Sequence, residues 1–419
     1  MFRQISYKKT NDMDVNVMEA LNKKIKETAE SIYHELVAIR HTLHRNPELS
    51  NQEHQTARLV EQTLSAWQIP YTRLPDSTAI IAEVKGNKAG SNSIGIRADM
   101  DALPIEEATG LDYASENKGV MHACGHDIHT ANLLGAGYVL SQLKDDFAGT
   151  IKLVFQPAEE IGGGAREILD FGVLENPRVT AFLAAHVSED VKTGQIQVKA
   201  EEVMMAASQF TIHLNGRGGH ASAPYQTDDI ILAAAKLILE LQSIPGRKIN
   251  HLDPAVITVA SIHSGSRSNI IPKELVLTGT IRTQNNSLHP EIHQHISNIL
   301  ASHELITGVR GTASFRFGSG AVYNDPALTK EFAAAAAGII GEANVVTAKF
   351  PGNGSENFSL FSSKVPSVFF RIGVNPDPAK IIEPAHSPKF TAADEALKTG
   401  VSVTVAAALA FLQKTGAPG

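Results

Sequence analysis

Cysteine is all but absent: the 419 residues hold one, Cys124. A single thiol excludes an intrachain disulfide framework and fits a reducing compartment. An excess of positive charge is missing too, with 37 Lys+Arg against 44 Asp+Glu and a formal net charge of −7. A nucleic-acid binder would show a basic balance or a basic stripe, and the lone Arg217-Gly218-Gly219 is no RNA-binding repeat. Long apolar runs are lacking, none nearing the ~20 residues of a membrane span. Residues 1–14 are polar and mixed in charge, without the apolar core of a signal peptide. The expectation is a flexible tail over 1–17, a cytoplasmic protein, and no nucleic-acid or membrane partner. Internal repeats and low-complexity linkers are also missing. The remaining composition, 43% hydrophobic and 19% charged, is that of a globular protein long enough for two or three domains.

One stretch stands out against this background: Met121-His122-Ala123-Cys124-Gly125-His126-Asp127-Ile128-His129-Thr130. It gathers the only thiol, three of the 17 histidines and an aspartate. Thiolate and imidazole are the ligands that zinc and its neighbours prefer, and a Cys and a His two residues apart can converge from a turn. The plainer alternative is a buried free cysteine beside surface histidines.

The flanking chain reads as alternating helices and strands. Apolar Leu21, Ile25, Ala29, Ile32, Leu36, Ile39 and Leu43 recur at helical spacing, giving a helix over about 18–43 that Asn46-Pro47 ends. A second helix fits 52–67, and strands fit 79–84 and 93–98. The latter runs into Arg97-Ala98-Asp99-Met100-Asp101-Ala102-Leu103-Pro104, which puts two aspartates at a strand's carboxyl end, where open α/β sheets bind ligands. Taken alone, that pair is a solvated turn. A helix over 126–143 follows. Then a strand over 150–156 ends in Pro157-Ala158-Glu159-Glu160, and another over 179–185 delivers His186. Gly162-Gly163-Gly164 lacks the Gly-Lys-Ser/Thr ending of a phosphate cradle and serves as a turn into a helix over 165–171.

The style changes near residue 206. A strand (209–214), helix (229–242), two strands (255–262, 275–282), helix (289–303) and strand (312–317) form a compact α+β unit of ferredoxin-like order. Alternation returns with a helix over 327–340, a strand over 367–373 and a closing helix over 392–412. The fold class is therefore α/β, a mixed-sheet catalytic domain over 18–205 and 319–419 with an inserted α+β domain over 206–318.

Candidate ligands number five: Cys124, His126, Glu160, His186 and His386. That is one more than a closed tetrahedral site takes and enough for two ions if one ligand bridges. Two ions about 3.5–4 Å apart polarise a carbonyl and acidify water together. Glu159, beside a ligand, is placed to be the base.

Seven segments, in order, carry a resemblance: residues 97–104, His122-Ala123-Cys124-Gly125-His126-Asp127, Gln156-Pro157-Ala158-Glu159-Glu160, Gly218-Gly219-His220-Ala221-Ser222-Ala223-Pro224, Ser268-Asn269-Ile270-Ile271-Pro272, Gly279-Thr280-Ile281-Arg282-Thr283 and Ala385-His386-Ser387-Pro388. The chain resembles the dinuclear metallohydrolases that include aminoacylases, carboxypeptidase G and related dipeptidases. It resembles most their cysteine-ligand branch of hippurate hydrolases, auxin–amino acid conjugate hydrolases and N-acetyl-diaminopimelate deacetylases. The resemblance implies that Cys124 bridges two divalent ions (Zn, Mn, Co or Ni) and that His126, Glu160, His186 and His386 complete the ligand set. By the same match Glu159 is the general base, Asp101 orients the metal-site machinery and His220 is an oxyanion partner. Asn269 and Arg282 recognise a substrate carboxylate, to which a planar guanidinium donates two parallel hydrogen bonds. The substrate is an N-acyl amino acid or a dipeptide. The resemblance also implies that the insert is a dimerisation or lid domain, making a homodimer in which His220 serves the neighbour's site.

Two departures accompany the match. The family's usual Ser-Glu-Asp-Phe is Ser355-Glu356-Asn357-Phe358 here, which keeps the shape and loses a charge. Asp228-Asp229 stands where Asp-Pro is usual and reads as a helix start. A metal-binding scaffold without turnover is the rival reading; Asn357 supports it, and intact Glu159 and His220 oppose it.

Overall fold

A computed structural model describes residues 12–352, 354–377 and 383–414. The chain divides into two compact units: Met1–Glu201 with Tyr323–Lys349 and Phe361–Gly419, and Glu202–Val322 with Phe350–Leu360. Residues 350–360, expected within the 319–419 segment of the catalytic domain, fall in the smaller unit.

The larger unit is built on an eight-stranded mixed sheet. Its order is Tyr71–Arg73, Ile80–Lys85, Ala148–Gln156, Lys88–Asp99, Val179–Lys192, Ser367–Asn375, Ile196–Val198 and Val345–Thr347. The four central strands, from Ala148–Gln156 to Ser367–Asn375, run parallel. Ala148–Gln156 and Ser367–Asn375 are buried almost throughout, and Lys88–Asp99 is buried over its last seven residues, as parallel strands covered on both faces are. The helix His126–Gln142 packs on this sheet, and Asp12–Arg45 packs on that helix and on Ala396–Lys414, with Ile25, Ala29, Ile32, Leu36 and Leu43 all buried. Of the residues 1–17 expected as a flexible tail, 12–17 belong to the helix Asp12–Arg45 and 1–11 lie outside the described residues.

The expectation about apolar runs is corrected as well. The 18-residue stretch Ala396–Gln413 is long and apolar enough to cross a membrane, yet 83% of it is buried inside the protein. A helix that is apolar all round is what a site between a sheet and other helices selects. The strand expected over 179–185 runs on to Lys192, because it keeps pairing with Ser367–Asn375. The three-residue strands at 71–73, 196–198 and 345–347 are too short to show a period in sequence.

The smaller unit is a four-stranded antiparallel sheet in the order Ala255–Ser264, Glu274–Thr283, Ala206–Asn215, Arg310–Phe317. Alternate residues Phe210, Ile212, Leu214, Leu275, Leu277 and Ile281 bury one face against the helices Ile230–Arg247 and Leu288–Thr307. Asp229 caps the first helix, accepting from the amides of Ile231 and Leu232 at 3.1 Å, which is the helix start read from sequence.

Candidate metal centre and active site

Three parallel strands deliver the site. Asp99 is paired with Gln156 at one carboxyl end, and Arg97 is paired with Ala184, so His186 two residues on is level with Asp99. His186 sits within its strand rather than past its end. Between these strand ends runs the turn to His126. Gly125 takes φ 76 there, and a Cβ on it would lie 2.5 Å from Val187, so the Cys124–His126 turn needs glycine. His386, itself at φ 70, belongs to a loop pinned to that turn by its amide, which donates to the Ala123 carbonyl at 2.8 Å.

The five expected ligands meet. Ligand atoms of Cys124, His126 and His186 lie within 4.8 Å of one another, and so do those of Cys124, Glu160 and His386. Both groups share the Cys124 sulfur, as a bridging ligand would. Cys124 Sγ is 3.4 Å from His186 Nε2, and Glu160 Oε1 is 3.5 Å from His386 Nε2 and 3.8 Å from His126 Nε2. Among the described residues, both ring nitrogens of His126 and Oε1 of Glu160 are buried with no hydrogen-bond partner. A buried polar atom left so is costly; a cation between His126 Nε2 and Glu160 Oε1 would satisfy those two, while His126 Nδ1 faces Asp101 Oδ1 at 3.3 Å. Thiol, imidazole and carboxylate together suit a divalent ion such as zinc, so the residues fit the metals the motifs imply.

The surroundings tune the ligands. His186 Nδ1 donates to the Val187 carbonyl at 2.7 Å, leaving Nε2 as the lone-pair nitrogen towards Cys124. Burial, with His129 and His126 beside it, holds His186 well below the ordinary histidine range. Burial pushes the Cys124 thiol up, so binding a cation there must displace its proton. Burial alone would lower His126, but Asp99, Asp101 and Cys124 outweigh it and hold the ring well above its ordinary value.

Asp99 is fully buried among several partners, although in sequence it is only one of an aspartate pair. Its carboxylate accepts from Arg97 at 2.8 Å and from His129 Nδ1 at 2.5 Å, and lies 3.6 Å from His126 Nε2. The Val187 amide donates to His129 Nε2 at 2.8 Å, which fixes the proton of that ring on Nδ1. His129 thus spends both nitrogens on the protein and supports the site instead of ligating. The signal was available, since His126 and His129 are three apart on one helix face. Asp101 accepts from the amides of Glu159 (3.0 Å) and Glu160 (3.1 Å) and from the Ser50 hydroxyl (2.6 Å), with His126 Nδ1 3.3 Å away. Burial would raise Asp101; His126 and these donors bring it below its ordinary value.

The remaining candidates lie in the smaller unit. The Ser222 amide donates to His220 Nδ1 at 3.2 Å, which puts the ring proton on Nε2, exposed as a donor. His220 lies on a two-residue strand opposite Ile270, and the Ala221 amide donates to the Asn269 carbonyl at 3.1 Å, so His220 and Asn269 are neighbours. Arg282 sits elsewhere in that unit, on the sheet beside Ala207 and Val256. Its Nη1 is buried with no hydrogen-bond partner among the described residues, and burial lowers its guanidinium. A guanidinium so placed is short of an anion. Asn357 is buried, in the turn that Glu356 closes by accepting from the Phe358 amide at 2.9 Å.

The pattern of Peptidase family M20/M25/M40 matches residues 95–410. The chain belongs to that family. It is 36% identical over 404 residues to thermostable carboxypeptidase 2 of Saccharolobus solfataricus, covering 94% of this chain and 100% of the relative. It is 37% identical over 373 residues to N-acetylcysteine deacetylase of Bacillus subtilis, covering 88% and 95%. In structure it is similar to a dinuclear metal binding peptidase of the M20 family from Bacillus subtilis, with a TM-score of 0.79 and 31% identity, covering 92% of this chain and 99% of that one. The resemblance read from the seven motifs and the mixed α/β class are therefore right.

Proposed function

We propose that the protein hydrolyses the amide bond of an N-acyl amino acid, releasing a carboxylic acid and a free amino acid. The observation that carries this reading is the Cys124 sulfur shared by two ligand groups, with Glu159 next to the ligand Glu160. The relative named N-acetylcysteine deacetylase supports it. A second reading, carboxypeptidase or dipeptidase action with the same machinery, is favoured by the carboxypeptidase relative.

Two divalent ions, when bound, would supply Lewis-acid polarisation of the acyl carbonyl and acidify water. Cys124, His126, Glu160, His186 and His386 would hold them. Glu159 takes a proton from the attacking water and passes it to the leaving nitrogen, so the products are a carboxylate and an amine. Asp101 keeps the Glu159–Glu160 turn in place through two backbone amides. His220 donates from Nε2 to the developing oxyanion. Asn269 and Arg282 bind the substrate carboxylate, to which Arg282 Nη1 has a donor to give. The reading takes the protein as a cytoplasmic homodimer, with His220 serving the partner's site.

A panel of N-acetyl, N-benzoyl and dipeptide substrates with added Mn, Co, Zn or Ni tests this. Turnover of the N-acyl compounds is expected, with metal content approaching two ions per chain and falling in Cys124→Ser. No turnover with any of them would favour the scaffold reading; one tightly held ion with full activity would remove the dinuclear mechanism.

A further inference from the structure

The turn that carries both glutamates hangs from three consecutive amides. Ala158, Glu159 and Glu160 donate to Glu53 Oε1 at 2.9 Å, Asp101 Oδ1 at 3.0 Å and Asp101 Oδ2 at 3.1 Å. Asp101 belongs to a motif already assigned; Glu53 belongs to none. Ala158 takes φ 56, a left-handed conformation that residues with a Cβ rarely adopt, so something must hold it.

Glu53 is fully buried and stands at the N-cap of the helix His54–Ala66, yet its side chain makes no capping bond. Glu48 takes that part, accepting from the amides of Gln55 (2.8 Å) and Thr56 (2.9 Å). The Glu53 carboxylate turns instead to the active-site turn. Oε1 also accepts from the Asn51 amide at 2.9 Å, and Oε2 accepts from the Thr78 hydroxyl at 2.8 Å. A buried carboxyl held by the neutral donors Asn51, Thr78 and Ala158 is expensive to keep. The helix, capped by Glu48, has no need of it.

We propose that Glu53 is a positioning residue for the general base: anchored by Thr78 and the Asn51 amide, it holds Ala158 in the left-handed conformation and so aims Glu159. This rests on Glu159 being the base. Without an acceptor for its amide, Ala158 relaxes and the peptide bearing Glu159 swings, and a displacement near 1 Å can lower turnover by about 10²-fold.

The test compares Glu53→Gln, Glu53→Ala and Thr78→Val, metal-loaded, with Glu159→Gln as control. Glutamine keeps an oxygen for both amides, and Thr78 can rotate to accept from its amino group. Glu53→Gln should therefore retain kcat within about threefold, while Glu53→Ala loses about 10–100-fold in kcat at near-normal KM and metal content. Thr78→Val should lie between them. In metal-free protein the Ala158 amide should exchange faster in Glu53→Ala and not in Glu53→Gln. The proposal is overturned if Glu53→Ala keeps its kcat, if it loses kcat only in step with metal or folded fraction, or if Glu53→Gln falls as far as Glu53→Ala. Should Glu53→Ala not fold, a wild-type kcat in Thr78→Val overturns it. An active Glu159→Gln would instead sink the base assignment and leave the exchange result standing.

Discussion

Two groups of buried and half-buried histidines among the described residues, one in each unit, differ in company. In the larger unit His126, His129 and His186 lie with ring centroids 4.6–6.1 Å apart among Asp99, Asp101, Glu160 and Cys124. In the smaller unit His289 and His293 are 6.1 Å apart and share the Ser208 hydroxyl at 2.9 and 3.3 Å. Phe315 stacks on His293 at 3.9 Å and Phe317 meets His289 edge-on at 5.2 Å. Among the described residues no carboxylate is at ion-pair distance from either ring. Burial lowers both, His289 to about 4, with His293 adding to it. A divalent ion entering the second cluster would find nothing to balance its charge. In the first, three carboxylates and a thiol are ready. Histidine density is therefore a poor guide to a metal centre; the acids at strand ends make the distinction.

The sharpest way to break this comparison is to remove the acids one at a time. Glu159→Gln keeps shape and removes a base, so it should retain its metal and lose about 10²–10⁴ in kcat. Glu160→Gln removes a ligand, so metal content should fall and activity with it. His289→Gln should leave metal content untouched. Elemental analysis beside kcat decides: equal metal loss in both glutamate variants, or an active Glu159→Gln, would undo the division of roles.

Much of this was legible in the chain. Periodicity gave the long helices and buried strands because their apolar faces are set by packing alone, and the order of motifs named the five candidate ligands that the fold brings together. What the sequence hid was contact between distant residues. Asp99 gains His129 and His126 only when the helix His126–Gln142 is laid against the strand Lys88–Asp99. Glu53 reads as the first turn of a helix, and its bond to Ala158 joins residues 105 positions apart. The apolar stretch Ala396–Gln413 has membrane-like composition, and only the fold shows the surfaces that cover it.

A smaller effect lies in the larger unit's wider network. His44 is buried between Asp127 at 2.9 Å and Glu107 at 3.4 Å. Burial alone would lower it, but Asp127 and Glu107 outweigh burial and raise it to about 9. The unfolded value is near 6.5, so the folded state binds this proton more tightly. Its stabilisation is complete below pH ~6.5 and is lost as pH rises through about 9. The stability gap between wild type and His44→Gln should narrow by on the order of 2–3 kcal/mol over that window. Denaturant unfolding at several pH values measures it, and a constant gap would mean that His44 is neutral in the folded protein.

The smallest effect expected has the opposite sign and comes from the second cluster. His289 is held at about 4 by burial and by His293, below the unfolded value, so between pH ~6.5 and 4 the unfolded chain takes a proton that the folded chain refuses. Its contribution is complete above pH ~6.5 and is lost as pH falls towards 4. Position adds to this, because His289 lies in the first turn of the helix Leu288–Thr307, where the helix dipole opposes positive charge. The loss stays small because a helix end can fray locally and hydrate the ring before the unit unfolds. Amide exchange over residues 288–293, corrected for intrinsic rates, should therefore quicken between pH 7 and 5, while the helix His126–Gln142 stays protected. In His289→Gln, which can still hydrogen-bond Ser208 but cannot take up a proton, the acid response should flatten. An unchanged response would show that the second cluster does not feel acid through His289.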